Sequence, residues 1–223
     1  MTQNLSKKYS KFFAPKNQIS INSEDILQKY GITTSTLTVE EATNTSPKFM
    51  FTVEDPKSAW INKALFETNK TVEIKMGYGN TLETVITGEI TVVKSIFSSN
   101  RSPQIEVAGE RKTAESASLP VSNRPVCSLA YGITLLSFTS IVTTENPTSK
   151  IQPIARAPAL RTSTNNMRCI AESIGLPEIR AGAKVVLTGL GSKFNHNYRV
   201  EKAVHSLDNC GYRTKFEARA QLL

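Results

Sequence analysis

Two histidines and three cysteines are the side chains in this sequence with the broadest metal-binding and nucleophilic chemistry. His196 and His205 lie nine positions apart, which is neither the helical nor the strand spacing of two ligands for one metal. Cys127, Cys169 and Cys210 are about forty positions apart and form no CxxC motif, which is typical of reduced, structural thiols. The sequence therefore predicts no metal site, no cofactor and no catalytic residue.

Carboxylates that could act as an acid and base pair occur close together in two places, Glu40–Glu41 and the stretch EVAGE at 106–110. Acid and base catalysis needs two groups whose surroundings separate their pKa values. Both stretches instead alternate polar and apolar residues, where a glutamate on the solvated face of a strand is ordinary. The stretch GLGSK at 189–193 also lacks the G-x-S-x-G pattern of a nucleophile elbow. The sequence indicates that the chain is not an enzyme.

Two Gly-x-Gly phrases follow strand-like stretches: Gly77 and Gly79 after TVEIKM, and Gly189 and Gly191 after KVVLT, 112 positions later. A phosphate-binding loop would need a third glycine and a following helix whose free N–H groups meet the anion. Neither copy has these features. Glycine in a β-hairpin turn supplies positive φ or a close approach of the backbone. We therefore predict hairpin turns at these four glycines.

Elements of the same type recur in the same order in the two halves of the chain. Alternating stretches predict strands, and apolar residues along one helical face predict a short helix at 58–69 and another at 164–175. Pro153 weakens a further predicted strand at 150–157. Without gaps, Ser35 aligns with Ser137 and Val92 with Val200.

This repetition predicts an internal duplication of a small β unit that contains an embedded helix. The fold class predicted from it is mainly β, with two tandem barrel-like domains. The polar, aperiodic stretch between the halves is typical of a linker. The predicted boundaries are an N-terminal arm over 1–11, a first domain over 12–110, a linker over 111–125 and a second domain over 126–223.

The strands before the two Gly-x-Gly phrases predict which side chains face the core. Alternation places Val72, Ile74 and Met76 on one face, and Val185 and Leu187 on the corresponding face of the second copy. The intervening residues are expected to face solvent, a channel or a neighbouring subunit. They are Thr71, Glu73, Lys75, Lys184 and Thr188.

The formal net charge of +8 at pH 7 leaves several function classes open. A basic chain can simply be soluble, or it can bind a partner with negative charge such as nucleic acid or an acidic protein face. A nucleic-acid-binding β-barrel is the main alternative, although the glutamates within YRVEK and YRTKF dilute the basic and aromatic pattern it needs. No apolar run approaches the length of a membrane helix, so no membrane insertion is expected.

Longer motifs resemble a known family. The segment LETVITGEITVVKSIFSSNRSPQIEVAGE at 82–110 and the segment from GLPEIRAG to the closing HSLDNCGYRTKFEARA at 175–220 are similar to the phage late control protein D family. That family forms the hub of contractile tails and of type VI secretion spikes. The resemblance covers roughly residues 10–112 and 126–220.

The resemblance implies a structural role. It implies that each barrel is similar to tail-tube protein, and that three copies form a ring of pseudo-sixfold symmetry that joins the central spike to the inner tube. The implied partners are further copies of this chain, a spike protein, an inner tube protein and other baseplate components. Nucleic acid is not expected as a specific ligand. The implied location is the cytoplasm during assembly and then a phage tail-like or injection-system particle.

The sequence departs from the family pattern in two ways. The linker is shorter than is usual in the family, and the sequence continues into no needle after the second domain. A reduced hub with a separate spike chain is therefore expected. A cell-wall hydrolase, a class sometimes found with tail hubs, would need a carboxylate or metal site that the sequence does not display.

Overall fold

The computed structural model describes residues 8–9, 12, 14–61, 63–111, 126–143 and 166–221. They form a mainly β structure in which thirteen strands belong to one sheet, and this confirms the predicted mainly β class. Every strand pair is antiparallel except β8 with β11. In these residues no helix has the length and apolar character to cross a membrane.

The first half of the chain contains seven strands and a short helix. They are β1 Pro15–Ile21, β2 Glu24–Asp25, α1 Ile26–Tyr30, β3 Thr34–Ala42, β4 Thr45–Glu54, β5 Thr71–Tyr78, β6 Thr81–Ser98 and β7 Arg101–Glu110. The residues described in the second half, 126–143 and 166–221, contain six strands. They are β8 Cys127–Ala130, β9 Leu135–Thr143, β10 Asn166–Ile174, β11 Lys184–Thr188, β12 Asn197–Asp208 and β13 Gly211–Ala220.

Helix α1 lies between β2 and β3 at a position where we predicted no element. The Asp25 carboxylate caps its start by accepting hydrogen bonds from the N–H groups of Leu27 and Gln28. Gly31 ends it in the left-handed conformation, with φ of 63°. Ile26 is its buried residue, so the helix covers one side of the first-half core.

The strands of the two halves are ordered alike in the sheet. The first half has the order β2-β1-β5-β6-β7-β4-β3, and the second half has β8-β11-β12-β13-β10-β9. Strand β2 has no counterpart among the described residues of the second half. Each other strand in one series occupies the place of its counterpart in the other. A further difference is the direction of one pair, because β1 is antiparallel to β5 whereas β8 is parallel to β11.

At two matching places, each half of the chain also has a β-bulge. Ser35 is the extra residue in β3 opposite β4, and Leu136 is the extra residue in β9 opposite β10. Thr91 is the extra residue in β6 opposite β7, and Glu201 is the extra residue in β12 opposite β13. A bulge bends a strand and strengthens its twist, so both halves bend their sheet at the same two points.

The bulge positions show that the gap-free alignment of identical residues between the two halves is shifted. Ser35 matches Leu136 and not Ser137, so that alignment is wrong by one position. Val92 follows the first bulge as Lys202 follows the second, so its alignment with Val200 is wrong by two positions. Gap-free matching failed because the connections between equivalent strands differ in length in the two halves.

A seam between β3 and β12 joins the two halves edge to edge. Residues 37–42 of β3 pair with residues 202–207 of β12, and Val39 lies opposite His205. One edge of β12 pairs with β13. The other edge pairs with β11 near the start of β12 and with β3 near its end. The described residues therefore form one continuous sheet and do not show two separate barrels.

The predicted helix at 164–175 is wrong, because its described residues 166–174 form strand β10. The side chains that point to the core are Met167, Cys169, Ala171 and Ser173, which alternate as strand residues do. Pairing with β9 on one edge and β13 on the other satisfies the backbone groups of this stretch. Tertiary pairing overrides the weak helical pattern of its apolar residues.

The predicted helix at 58–69 is also wrong, because the described residues of this stretch form turns. The buried carboxylate of Asp55 accepts hydrogen bonds from the N–H groups of Ala59, Trp60 and Ile61 at 2.7, 2.9 and 3.0 Å. An acidic side chain that accepts hydrogen bonds from three consecutive N–H groups satisfies these groups without a helix. The predicted strand at 150–157 lies outside the described residues.

Buried apolar side chains of both halves form one hydrophobic cluster. It includes Ile74 and Ile86 from the first half and Tyr198 and Phe216 from the second. Within β5 and β11 the predicted alternation is confirmed, since Val72, Ile74, Met76, Val185 and Leu187 are all fully buried. The domain boundaries at 1–11, 12–110, 111–125 and 126–223 stay predictions.

Candidate assembly surfaces

Arg180, in the connection between β10 and β11, binds the first half of the chain beside the seam. Its Nε atom donates to the Glu41 carboxylate at 3.0 Å, and its two terminal nitrogens donate to the carbonyl oxygens of Thr84 and Val85. The Glu41 side chain is only 8% exposed, and Arg180 forms an ion pair with this buried carboxylate. Burial, together with the nearby Arg180 charge, lowers the pKa of Arg111.

Two described residues of the predicted N-terminal arm make a second link between the halves. The Tyr9 hydroxyl donates to the buried Glu178 carboxylate at 2.7 Å. The Lys8 ammonium group lies 2.8 Å from the same carboxylate and 2.7 Å from Glu83. Burial and the hydrogen bond to Glu178 raise the pKa of Tyr9, so its hydroxyl stays protonated as a donor. Lys8 and Tyr9 are therefore packed against both halves.

His205 is buried at the seam. Its Nδ1 atom lies 3.0 Å from the Tyr212 hydroxyl and 3.1 Å from the Thr214 hydroxyl. Burial, reinforced by the charge of Arg180, lowers the pKa of His205 to about 3, so the ring is neutral near pH 7. His196 lies in the connection between β11 and β12, where its carbonyl accepts from the Leu187 N–H.

The first Gly-x-Gly forms the tight connection between β5 and β6. Tyr78 pairs with Thr81, so Gly79 and Asn80 are the two turn residues. Gly79 has a φ of 56°, which glycine adopts without strain. A Cβ atom on Gly77 would lie 2.1 Å from the Thr81 carbonyl oxygen, so this position has no room for a side chain. Gly79 therefore suits the turn by its positive φ, and Gly77 by its lack of a side chain.

The second Gly-x-Gly starts a longer connection between β11 and β12. Gly189 and Gly191 have φ values of 83° and 81°. Strand pairing makes Val72 equivalent to Val185, so the second phrase begins one position earlier in the unit than the first. The two phrases thus recur in equivalent connections but are not equivalent residue by residue.

The four residues predicted to lie on a channel or interface face belong to two different strands. Glu73 and Lys75 are half-buried on β5, where their charged groups lie 3.2 Å apart and Thr84 donates to Glu73 at 2.9 Å. Lys184 and Thr188 are exposed at the two ends of β11, and the Thr188 hydroxyl donates to the Leu129 carbonyl at 3.2 Å. Their proposed role at a channel or interface stays a prediction.

A row of alternating charge crosses the outer face of the sheet from one half to the other. Strand pairing places Glu110 beside Lys48, Lys48 beside Glu40, and Glu172 beside Lys215. Lys202 adds an ion pair to Glu40 at 2.8 Å. Exposed pairs of this kind contribute little stability but keep the face hydrophilic and nearly neutral.

Among the strand edges without a neighbour in the described part of the chain, two lie on β6 and β9. Strand β5 covers one edge of β6 only as far as Glu89, so the same edge is open at residues 92–98. Strand β9 pairs with β10 on one edge, and its other edge has a single bridge, between Tyr131 and Leu135.

These open edges carry a large share of the exposed apolar side chains. Val92 and Phe97 are 54% and 67% exposed on β6, and Ile141 and Val142 are 42% and 47% exposed on β9. Edges of this kind tend to pair with another strand, and natural proteins usually protect them with charged residues or proline. The sequence predicts both strands but not their edges, because an edge is a property of the assembled sheet. The absence of any charged residue from 126–143 was the available signal.

The described residues also include histidine, cysteine and acidic side chains and a cavity beside Trp60. No group of three or more histidine, cysteine or acidic residues there could hold a metal. Burial raises the pKa values of Cys127 and Cys169 to about 12, so both thiols are unreactive near neutral pH. A cavity of about 540 Å³ beside Trp60 contains Lys63, but its ammonium group lies over the Trp60 ring at 4.4 Å.

Comparisons with known proteins identify similar folds. No protein-family model matches the sequence, and comparison with curated protein sequences gives no match. The crystal structure of a tail protein from Neisseria meningitidis MC58 matches with a TM-score of 0.63 at 8% identity, over 94% of this chain and 97% of that chain. The 43 kDa tail protein of prophage MuSo2 from Shewanella oneidensis matches with a TM-score of 0.60 at 8% identity, over 92% and 98%.

A third solved structure, an E. coli component of the type VI secretion system, gives a TM-score of 0.49 at 13% identity, over 92% of this chain and 77% of that chain. The two tail proteins extend over nearly the whole of both chains, so the likeness is not confined to one half. At such low identity it shows a shared fold. The chain therefore has the fold of these phage-type tail proteins.

Proposed function

We propose that this chain is the structural hub of a contractile injection system or phage-like tail baseplate. Three copies form a ring that joins the central spike to the inner tube and nucleates the tube. The fold shared with two tail proteins over almost their entire lengths supports a structural role in a tail. In this proposal the chain works as a scaffold and not as an enzyme.

The observation that carries this proposal is the edge-to-edge union of two similar units in one chain. The halves have the same order of six strands and share two bulge positions, and the β3–β12 seam sets them side by side. Such a pair is expected from an internal duplication of one β-barrel unit. Three copies would place six units around one axis, and a sixfold ring of tube subunits could then dock on a trimer.

The proposed partners are those that the family resemblance implies. One face of the ring would hold a spike protein, the opposite face would meet the inner tube protein, and the outside would contact other baseplate components. The particle would assemble in the cytoplasm. The alternative of a basic nucleic-acid-binding barrel has less support, because glutamates alternate with lysines across the outer sheet face.

Native mass spectrometry at micromolar concentrations tests the ring, and the expected species is a trimer. Sedimentation with the tube and spike proteins of the same particle tests the partners, and the expected result is co-sedimentation with both. A chain that stays monomeric and binds neither protein would overturn the proposal. A salt-dependent DNA shift by that monomer would favour the nucleic-acid alternative.

A further inference from the structure

We infer that neighbouring copies join by antiparallel pairing of β9 from one copy with residues 92–97 of β6 from the next. The register is the one that β3 and β12 use within the chain. This inference rests on the proposed ring and specifies the contact that closes it. It follows from the two open edges and from the equivalence of the two halves.

Strand β12 shows how a neighbour occupies the open part of such an edge. Strand β11 covers the start of β12 at residues 197–199, and β3 covers residues 202–207 of the same edge. In the first half, β5 covers β6 up to Glu89, and residues 92–98 have no partner on that edge in the described chain. The open segment of β6 is therefore the counterpart of the segment of β12 that binds β3.

The bulges and hairpin ends set the equivalence residue by residue. Thr91 in β6 matches Glu201 in β12, since each is the extra residue of its strand. At the hairpin ends, Ser98 pairs with Arg101 across a two-residue turn, and Asp208 pairs with Gly211 across another. The bulges and the hairpin ends give the same difference in residue number between β6 and β12, so residues 92–97 match residues 202–207.

Strand β9 is likewise the counterpart of β3. The bulge at Ser35 matches the bulge at Leu136, which makes Leu37 equivalent to Phe138 and Val39 equivalent to Ser140. Within the chain, Leu37 lies opposite Leu207 and Val39 opposite His205. Replacing each residue by its counterpart gives the contact between copies. The core-facing pairs are Phe97 with Phe138, Ser95 with Ser140, and Val93 with Val142.

The side chains brought together in this register suit one another. Phe meets Phe, Ser meets Ser and Val meets Val on the side of the sheet that faces the core. Phe97 and Val142 are 67% and 47% exposed in the single chain. Pairing would cover them, and cross-strand aromatic and β-branched pairs are favourable contacts. No like charges oppose each other in these three pairs.

A second copy of this chain is the occupant that the geometry favours. The seam uses one β3-type edge and one β12-type edge, and each chain retains one further edge of each type, on β9 and on β6. An edge of β9 on one copy can therefore bind the β6 edge of the next, and that copy offers its own β9 in turn. Such head-to-tail contacts close into a ring when the rotation per copy permits it.

Disulfide trapping tests the register. Ser95→Cys and Ser140→Cys are placed in a Cys210→Ser background, because Cys210 is the exposed native thiol in the described chain. Opposed residues in antiparallel strands lie within disulfide range. Mixing the two single variants under oxidation should give covalent dimers, and the double variant should give covalent trimers. The matched control pairs Ser95→Cys with Thr139→Cys, which lies one position along β9 and on the other face, and should stay uncoupled.

A charge substitution tests the same contact without covalent cross-linking. Phe97→Glu should raise the concentration at which half the chains are assembled by at least about tenfold, because it places an unpaired charge in the contact. Thr87→Glu is the matched control. Thr87 lies on β6 where β5 already covers the edge, so this substitution should leave assembly unchanged. Circular dichroism shows whether each variant is folded.

The outcomes separate this inference from the proposed hub. A trimer that forms no Ser95–Ser140 link and tolerates Phe97→Glu overturns the edge pairing and leaves the hub intact. A folded monomer at every concentration overturns both. Covalent trimers from the double variant, with the Thr139 control uncoupled, support the edge pairing.

Discussion

Single residues on β5 show how one strand separates core from surface. Val72, Ile74 and Met76 are fully buried, whereas the Glu73 side chain between them is 36% exposed. A slip of one residue would exchange the two faces and bury Glu73 and Lys75. The cost of burying unpaired charge therefore fixes the register of this strand.

Substitutions at neighbouring positions of β5 should have opposite consequences. Ile74→Asp places a carboxylate in the apolar core and should prevent folding, because the desolvation cost is several kcal/mol, about as large as the stability of a small domain. Glu73→Gln keeps an acceptor for Thr84 and should change the free energy of unfolding by less than about 0.5 kcal/mol. Circular dichroism and urea unfolding measure both. A folded Ile74→Asp variant would contradict the assigned faces.

His205 is the residue whose protonation should make stability depend on pH. Its pKa is about 3 in the folded chain and about 6.5 when unfolded. Below pH 6.5 the unfolded chain binds a proton at this ring and the folded chain does not. Its contribution to stability is therefore complete above about pH 6.5 and is lost as the pH falls toward 3, by up to about 1.4 kcal/mol per pH unit.

Replacing His205 by glutamine should flatten that dependence. Glutamine retains a hydrogen-bonding group near Tyr212 and Thr214 but does not titrate. Urea unfolding at pH 7, 6, 5 and 4 would compare the two proteins, and the titration of other groups is common to both. The wild type should lose more stability than His205→Gln between pH 6 and pH 4. Parallel curves would contradict the role assigned to the histidine.

At the scale of elements, the β5–β6 hairpin depends on two glycines for different reasons. Gly77→Ala would place a methyl group against the Thr81 carbonyl and should cost at least about 2 kcal/mol of unfolding free energy. Gly79→Asn is the control, because its site is open and asparagine tolerates positive φ at a cost below about 1 kcal/mol. Thermal unfolding would rank the two. Equal stability of both variants would contradict the close approach at Gly77.

Sequence patterns predicted most strands, and β10 shows where they fail. Met167, Ile170, Ala171 and Ile174 have helical spacing, yet the residues that face the core are Met167, Cys169, Ala171 and Ser173. Ser173 is buried because its hydroxyl donates to the carbonyl oxygens of Ile174 and Thr214. A polar residue that finds partners only in the folded sheet breaks the hydrophobic alternation that strand prediction depends on.

The assembly surfaces were less predictable than the strands. The sequence located Glu73, Lys75, Lys184 and Thr188 as outward residues, because alternation is a local property. It did not locate the β3–β12 seam or the open edge of β6, because strand neighbours are set by tertiary pairing. Strands β1 and β8 were missed as well: β8 has only four residues, and polar residues and a proline open β1.

At the scale of the whole molecule, the seam and the shared core should make the two halves unfold together. Arg180 belongs to the second half and binds Glu41, Thr84 and Val85 of the first. Removing it deletes the ion pair with the buried Glu41 carboxylate and the hydrogen bonds to both carbonyl oxygens. Arg180→Ala should therefore lower the free energy of unfolding by about 3 kcal/mol. Adding Glu41→Gln to that variant should recover part of the loss, because the buried charge is then gone.

Each half carries its own probe for this experiment. Trp60 is the single tryptophan of the chain and reports on the first half by fluorescence, while the buried Cys169 reports on the second half by its reaction with a thiol reagent. Both probes should give one urea midpoint in the wild type, and both should move together in Arg180→Ala. Midpoints that separate, with Trp60 and Cys169 exposed at different urea concentrations, would mean that the halves fold independently. In that case the seam is only a contact between two self-sufficient units, and the β9–β6 contact between copies should be equally dispensable for their folding.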